Sequence, residues 1–322
     1  MITRKRFFHI WWLVLFLIVA IAAASYWLIG REAEVTIANE LLRRERTVAK
    51  AEKSNLTVYF QTFGNAVASL AQYGSIARRD ASTIHDMDIF VEQRRANGIV
   101  AGIVLTDSKG IVKFNSNISG TRDLGMSLAD RDYFLWAKGE SEPAEYFIGR
   151  PVVSRLGASM GLVIVPVAAP VYNGDTFTGA IIAAVKLAPL TSRFLGLMKV
   201  SDTTEVYLVD EEGSLLFNSA EPAAADSSIF DFFQNNPFDG SQALSDKIEA
   251  ALGAEEGGEF RTAGHLVAYS PVLLGNQSWL VIMASPSQAI MDLAEPIYIR
   301  QTAVILMLVL TFLLFGVIVA RK

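Results

Sequence analysis

The chain contains no cysteine, only three histidines and no long basic block. The first absence removes disulfides and thiolate chemistry, so stability rests on the packed core alone. The histidines stand apart at His9, His85 and His265 with no serine–histidine–aspartate context, which leaves no constellation for hydrolysis. His85 beside Asp86 and Asp88 reads as a solvated helix surface, and no metal or cofactor is expected. A net charge of −5 without a basic run gives no footprint for nucleic acid.

Charge is also missing from two long stretches. Ile10 to Ile29 and Thr302 to Ala320 carry no charged residue, and each matches the ~20 residues that cross ~30 Å of hydrocarbon. A single Lys or Arg at mid-bilayer would cost about 2.5–3.5 kcal/mol. Basic residues flank both stretches on their outer sides, Arg4, Lys5 and Arg6 before the first and Arg321 and Lys322 after the second. The expected topology is therefore two-pass in the inner (cytoplasmic) membrane, with residues 1–9 and 321–322 cytoplasmic and the intervening part periplasmic or extracellular. The basic start, apolar run and Ala22-Ala23-Ala24 also fit a cleavable signal peptide, and either reading exports the middle of the chain.

Between the spans, the lack of proline from Arg31 to Asp80 and apolar residues at helical spacing predict a long stalk helix over residues 31–80. A second helix is expected from Thr83 to Arg95, ending before Asn97-Gly98. The period then changes and an internal repeat appears. Val104 to Ser116 and Val206 to Ser219 share Asp, Gly, Phe, Asn and Ser in one register: Asp107, Gly110, Phe114, Asn115, Ser116 against Asp210, Gly213, Phe217, Asn218, Ser219. Each copy reads as strand, Asp-x-x-Gly turn, strand. Helices and three further strands follow in both halves: Asp130–Lys138, then Glu145–Ser154, Gly161–Val171 and Phe177–Leu187; and Ile229–Gln234 with Ser245–Leu252, then Gly258–Thr262, His265–Leu273 and Ser278–Ala284. The fold class is α+β: two PAS-like modules, each an antiparallel sheet with flanking helices, at residues 81–195 (membrane-distal) and 196–300 (membrane-proximal), on a long N-terminal helix and between transmembrane helices at 10–29 and 302–320. Glu256-Gly257-Gly258-Glu259-Phe260, which is similar to a cyclase signature, is one residue short and falls in a predicted strand, so it reads as a turn and strand start.

Across Arg31 to Arg300 the chain resembles the double Cache sensor domains of bacterial transmembrane receptors. The resemblance is carried by Asp107-Ser-Lys-Gly110, Arg131-Asp-Tyr133-Phe134, Tyr146-Phe-Ile-Gly149-Arg-Pro151-Val-Val-Ser154-Arg155, Ala169-Pro170-Val171-Tyr172, Gly179 to Val185, Tyr269-Ser-Pro271 and Trp279. It implies a small organic ligand held in the distal module, with Arg131, Tyr133, Phe134, Tyr146, Ser154 and Ala184 as expected contacts. A guanidinium fork suits a carboxylate, and a tyrosine adds a hydroxyl and an aromatic wall. From the residues alone, Arg131 reads first as a helix-end side chain paired with Asp130, Asp132 or a neighbouring carboxylate, and it is the resemblance that brings it to the ligand; the aromatics are equally core. Amino-acid-binding members of the family carry an Asp near the end of the last strand. Ala184 stands there, which turns the expectation from amino acids and amines toward a simple carboxylate or an uncharged metabolite. The resemblance further implies a homodimer, and an output either in a longer chain (histidine kinase, chemoreceptor or cyclic-dinucleotide protein) or in a separate cytoplasmic partner. A membrane-tethered scaffold with filled pockets is the alternative; an enzyme is not expected.

Overall fold

The computed structural model describes residues 4–139, 142–220, 228–235 and 241–321. Helix α1 (Arg4–Ala71) runs unbroken out of the first apolar stretch and along the whole body of the protein. Its buried face is Leu56, Phe60, Phe63 and Val67, spaced four, three and four residues apart and so on one side of the helix. Burial of each such side chain contributes about 1.5–3 kcal/mol. The same apolar cluster takes in Val165 and Val167 from one sheet and Val206, Leu208 and Val281 from another, so α1 is the spine on which both sheets pack.

The helix ends at Ala71 and not at Asp80. Gln72 and Tyr73 break it, a short helix α2 (Gly74–Arg78) follows, and Arg79 then turns the chain with a positive φ of 55°. Proline was absent, but the αL turn at Arg79 ends the helical path without one. Helix α3 (Thr83–Glu92) comes next, closed by a 3-10 turn at Arg95–Asn97.

The first sheet comprises β1 (Val100–Thr106), β2 (Val112–Asn117), β3 (Phe147–Ile148), β4 (Val152–Val153), β5 (Val163–Asn173) and β6 (Thr176–Lys186), with helix α4 (Asp132–Gly139) between β2 and β3. Its order is β2-β1-β6-β5-β3, with β4 also pairing β5. A single strand was expected over Glu145–Ser154. The ladder instead splits into two pairs of residues around Gly149-Arg150-Pro151, because proline donates no ladder hydrogen bond. Both faces of this sheet are covered. Val165, Val167, Ala169, Ile181 and Ala183 face α1, while Ala168, Ala180 and Ile182 face α4.

Helix α5 (Leu187–Leu195) leads to the second sheet: β7 (Glu205–Asp210), β8 (Leu215–Asn218), then helices α6 (Ile229–Asn235) and α7 (Ser241–Leu252), then β9 (Gly258–Arg261), β10 (His265–Leu273) and β11 (Ser278–Pro286). The order β8-β7-β11-β10-β9 repeats that of the first sheet. Helix α7 starts one turn before the expected Ser245. After β11 the chain enters α8 (Gln288–Arg321), which contains the second apolar stretch. Helices α1 and α8 are both long and apolar enough to cross a membrane. They pack on each other through Trp11 stacked on Phe312 at 4.0 Å and through a Tyr298 hydroxyl that donates to Glu34.

The repeat is carried into backbone geometry. Asp107 Oδ1 accepts from the backbone N–H of Lys109 and Ile111, and Asp210 Oδ1 accepts from those of Glu212 and Ser214. Gly110 and Gly213 close the two turns at φ values of 82° and 81°, a region that glycine enters without steric cost. Their carbonyls accept from Leu128 and Ile229, so each turn docks the start of the following helical segment in the same way.

Candidate ligand-binding site

One small cavity, of about 40 Å³, lies in the distal module between its sheet and a loop that follows β4. Strands β1 and β6 form the floor through Gly102, Val104, Ile182 and Ala184. Asn115 and Asn117 of β2 close one side, and Arg131 and Tyr133 look in from the start of α4. The roof is the run Val152–Ser159, whose last three residues form a 3-10 turn. Gly102 is required here, since a Cβ would sit 2.5 Å from that of Asn117 and 2.6 Å from the Ser116 carbonyl.

The roof is pinned by hydrogen bonds from the body of the module. Gly157 N–H donates to Asp123 Oδ2 at 2.8 Å, and the hydroxyls of Ser154 and Ser159 lie 2.9 Å apart and bond the Leu156 carbonyl. Asn117 donates to Asn115 Oδ1 and to the Thr121 carbonyl, while its own oxygen accepts from Ser119. The amide groups of this wall are thus spent on loop geometry.

The cation is differently placed. Arg131 donates from Nη2 to the Val153 carbonyl at 3.2 Å, and its Nε is buried with no hydrogen-bond partner. It makes no ion pair among the described residues, because Asp130 is taken by Arg155 at 2.9 Å. Arg155 holds the Asp130 carboxyl below the usual carboxylate range. The cavity is lined by these two arginines and by no acidic side chain. Tyr133 is buried, and that burial pushes its phenol up to about 12, so it stays a neutral donor.

Of the six residues expected at the site, Arg131, Tyr133, Ser154 and Ala184 line the cavity. Phe134 and Tyr146 do not. Phe134 packs against Phe177 in the core under α4, at 6.3 Å between centroids. Tyr146 lies on the opposite face of the sheet, where its ring occupies the gap left by Gly64 of α1. Gly102 and Asn117 carry no mark in the sequence, while Asn115 and Arg155 stand there only as parts of the repeat and of the family motif. Asn115 is a repeat position, where it reads as structural, and the first half of the roof lies within the family motif that ends at Ser154-Arg155.

The model of the Cache domain family matches residues 33–294. The chain belongs to the double Cache family. No curated protein matches the chain in sequence. Solved structures share the fold at low identity. An extracellular ligand binding receptor from Desulfohalobium retbaense is 10% identical with a TM-score of 0.59; the match covers 74% of this chain and 39% of that one, so the chain spans well under half of its length. The ligand-binding domain of the Pseudomonas fluorescens chemoreceptor CtaA, in complex with L-serine, is 14% identical, covers 78% and 99%, and has a TM-score of 0.54. That of the Campylobacter jejuni chemoreceptor Tlp3, in complex with 4-methylisoleucine, is 12% identical, covers 79% and 94%, and has a TM-score of 0.55. The last two of these structures are ligand-binding domains of chemoreceptors, and in this chain the matched region is flanked by two helices long and apolar enough to cross a membrane.

Proposed function

We propose that the protein is a two-pass membrane receptor whose distal Cache module binds a short monocarboxylate and passes the event to the membrane helices. The observation that carries this reading is Arg131, a partly buried guanidinium with an unpartnered Nε, facing a cavity with no acidic side chain. A single carboxylate would supply the missing acceptor and charge. Size supports a short acid. One water needs about 10–15 Å³ of such space, so the cavity admits only a few heavy atoms, whereas sites for larger metabolites run to several hundred Å³. The floor of Gly102, Val104, Ile182 and Ala184 suits an aliphatic tail and offers no acceptor for an ammonium.

Transmission is supported by continuity: α1 links the first apolar stretch to both sheets, and β11 runs into α8 with only Ser287 between them. On this reading the modules lie outside the cytoplasm, both termini lie inside, two copies pair along α1, and the output belongs to a cytoplasmic domain or partner.

The test is a thermal-melting panel on the full chain in lipid nanodiscs, with acetate, propionate, succinate, L-alanine and glucose. At a hundred times its dissociation constant a true ligand stabilises by ~2.7 kcal/mol. A shift with acetate or propionate that disappears in Arg131→Ala supports the proposal. Silence across the panel, with the protein folded, supports the scaffold alternative.

A further inference from the structure

The segment from Tyr146 to Leu156 touches more of the molecule than its few strand residues require. Its second half is the roof of the cavity. Its first half is the edge of the distal sheet, where Gly149 N–H pairs inward with the Pro166 carbonyl of β5. That leaves the N–H and carbonyl of Ile148 pointing off the open edge, the kind of unpaired backbone that a sheet must cover or expose.

The cover comes from the other module. Asn276, in the β10–β11 turn, accepts from Ile148 N–H at 3.3 Å and donates to the Ile148 carbonyl at 2.8 Å, while Gln277 donates to the same carbonyl at 2.7 Å. Gln277 is 7% exposed, and its amide oxygen accepts from the Trp279 indole at 3.3 Å. Trp279 is buried edge-on against Phe60 of α1, with centroids 5.5 Å apart. Two residues past Ile148, Arg150 forks to Glu212 at 2.5 Å and Glu211 at 2.7 Å, both in the β7–β8 turn of the proximal module.

We infer that Asn276 and Gln277 are positioning residues for the cavity, and that the roof and the proximal β10–β11 turn form one coupled element. The roof can lift only by pulling Val152 and Val153 away from β5, and the adjoining Ile148 edge is fastened to a turn whose next strand, β11, feeds α8. Because such coupling is reciprocal, whatever shifts the roof must shift the turn, and the reverse. This inference requires no particular ligand.

Amide hydrogen exchange on the full chain in nanodiscs, with no ligand added, tests it. In Asn276→Ala/Gln277→Ala the amides of residues 152–156 should exchange at least tenfold faster, with β1 and β6 within twofold of wild type. In the reverse direction, Asp123→Ala, which frees Gly157, should speed exchange at residues 275–277. A double variant whose roof exchanges at the wild-type rate, or in which every strand loosens equally, overturns the inference. Should the double variant fail to fold, Arg150→Ala removes only exposed contacts and is read by the same criteria. These outcomes are independent of the melting panel, so loss of one reading leaves the other standing.

Discussion

Asp130 is bound by Arg155, whose Nη1 donates to both carboxylate oxygens at 2.9 and 3.1 Å, and this leaves the neighbouring Arg131 without an anionic partner among the described residues. The pair is exposed, so it adds little to stability. Its consequence is electrostatic. With Arg155 removed, Asp130 is free to turn to Arg131 and compete with an incoming carboxylate. Arg155→Ala should therefore weaken propionate binding several-fold with little change in melting temperature, and adding Asp130→Ala should restore it. Titration of the single and double variants checks this; equal losses in both would show that Arg155 contacts the ligand itself.

Ala184 sits on the cavity floor. Ala184→Asp would place a carboxylate opposite Arg131, repelling a simple acid while supplying a partner for an ammonium. The variant should lose at least tenfold in propionate affinity and gain binding of L-alanine, read by the same titration.

Glu45 lies fully buried in α1, with one oxygen accepting from Ser285 and the other without a partner. Burial raises its carboxyl to about 7. A folded value above the unfolded one means that stability is fully present below the ordinary Glu value near ~4.3 and is lost as pH rises through about 7. The loss is on the order of 3 kcal/mol. Melting temperature should fall between pH 5 and 8, and Glu45→Gln should flatten that slope and be the more stable form at pH 8. Parallel slopes in the two proteins would exclude Glu45 as the cause.

The paired turns make a graded prediction. A Cβ on Gly110 would meet Ala129 backbone atoms at 2.8 Å, while on Gly213 it would meet the Phe230 ring at 2.6 Å. Both substitutions strain a positive φ by about 1 kcal/mol or more, but a ring can swing and a backbone cannot. Gly110→Ala should lower the midpoint of denaturant unfolding more than Gly213→Ala.

The sequence pattern made these turns legible because Asp-x-x-Gly encodes them locally, and the two sheets followed from the strands on either side. Arg131, Tyr133, Ser154 and Ala184 could be placed near one another through the family motif. Tyr146 could not, because what receives its ring is Gly64, a missing side chain on a distant helix. The split at Gly149 and Pro151 was hidden by the apolar run around it. The clamp of Asn276 and Gln277 on Ile148 was hidden too, since nothing in a turn sequence says which sheet edge it will cover. What is local in the chain could be read from it; what depends on one module meeting another could not.

The central claim is that Arg131 anchors a short monocarboxylate, and calorimetric titration of propionate into the full chain in nanodiscs tests it most directly. The account predicts saturable one-site binding in the wild type, none in Arg131→Ala, and none for L-alanine in the wild type. Propionate binding that survives Arg131→Ala unchanged, or L-alanine that binds more tightly than propionate, would contradict it.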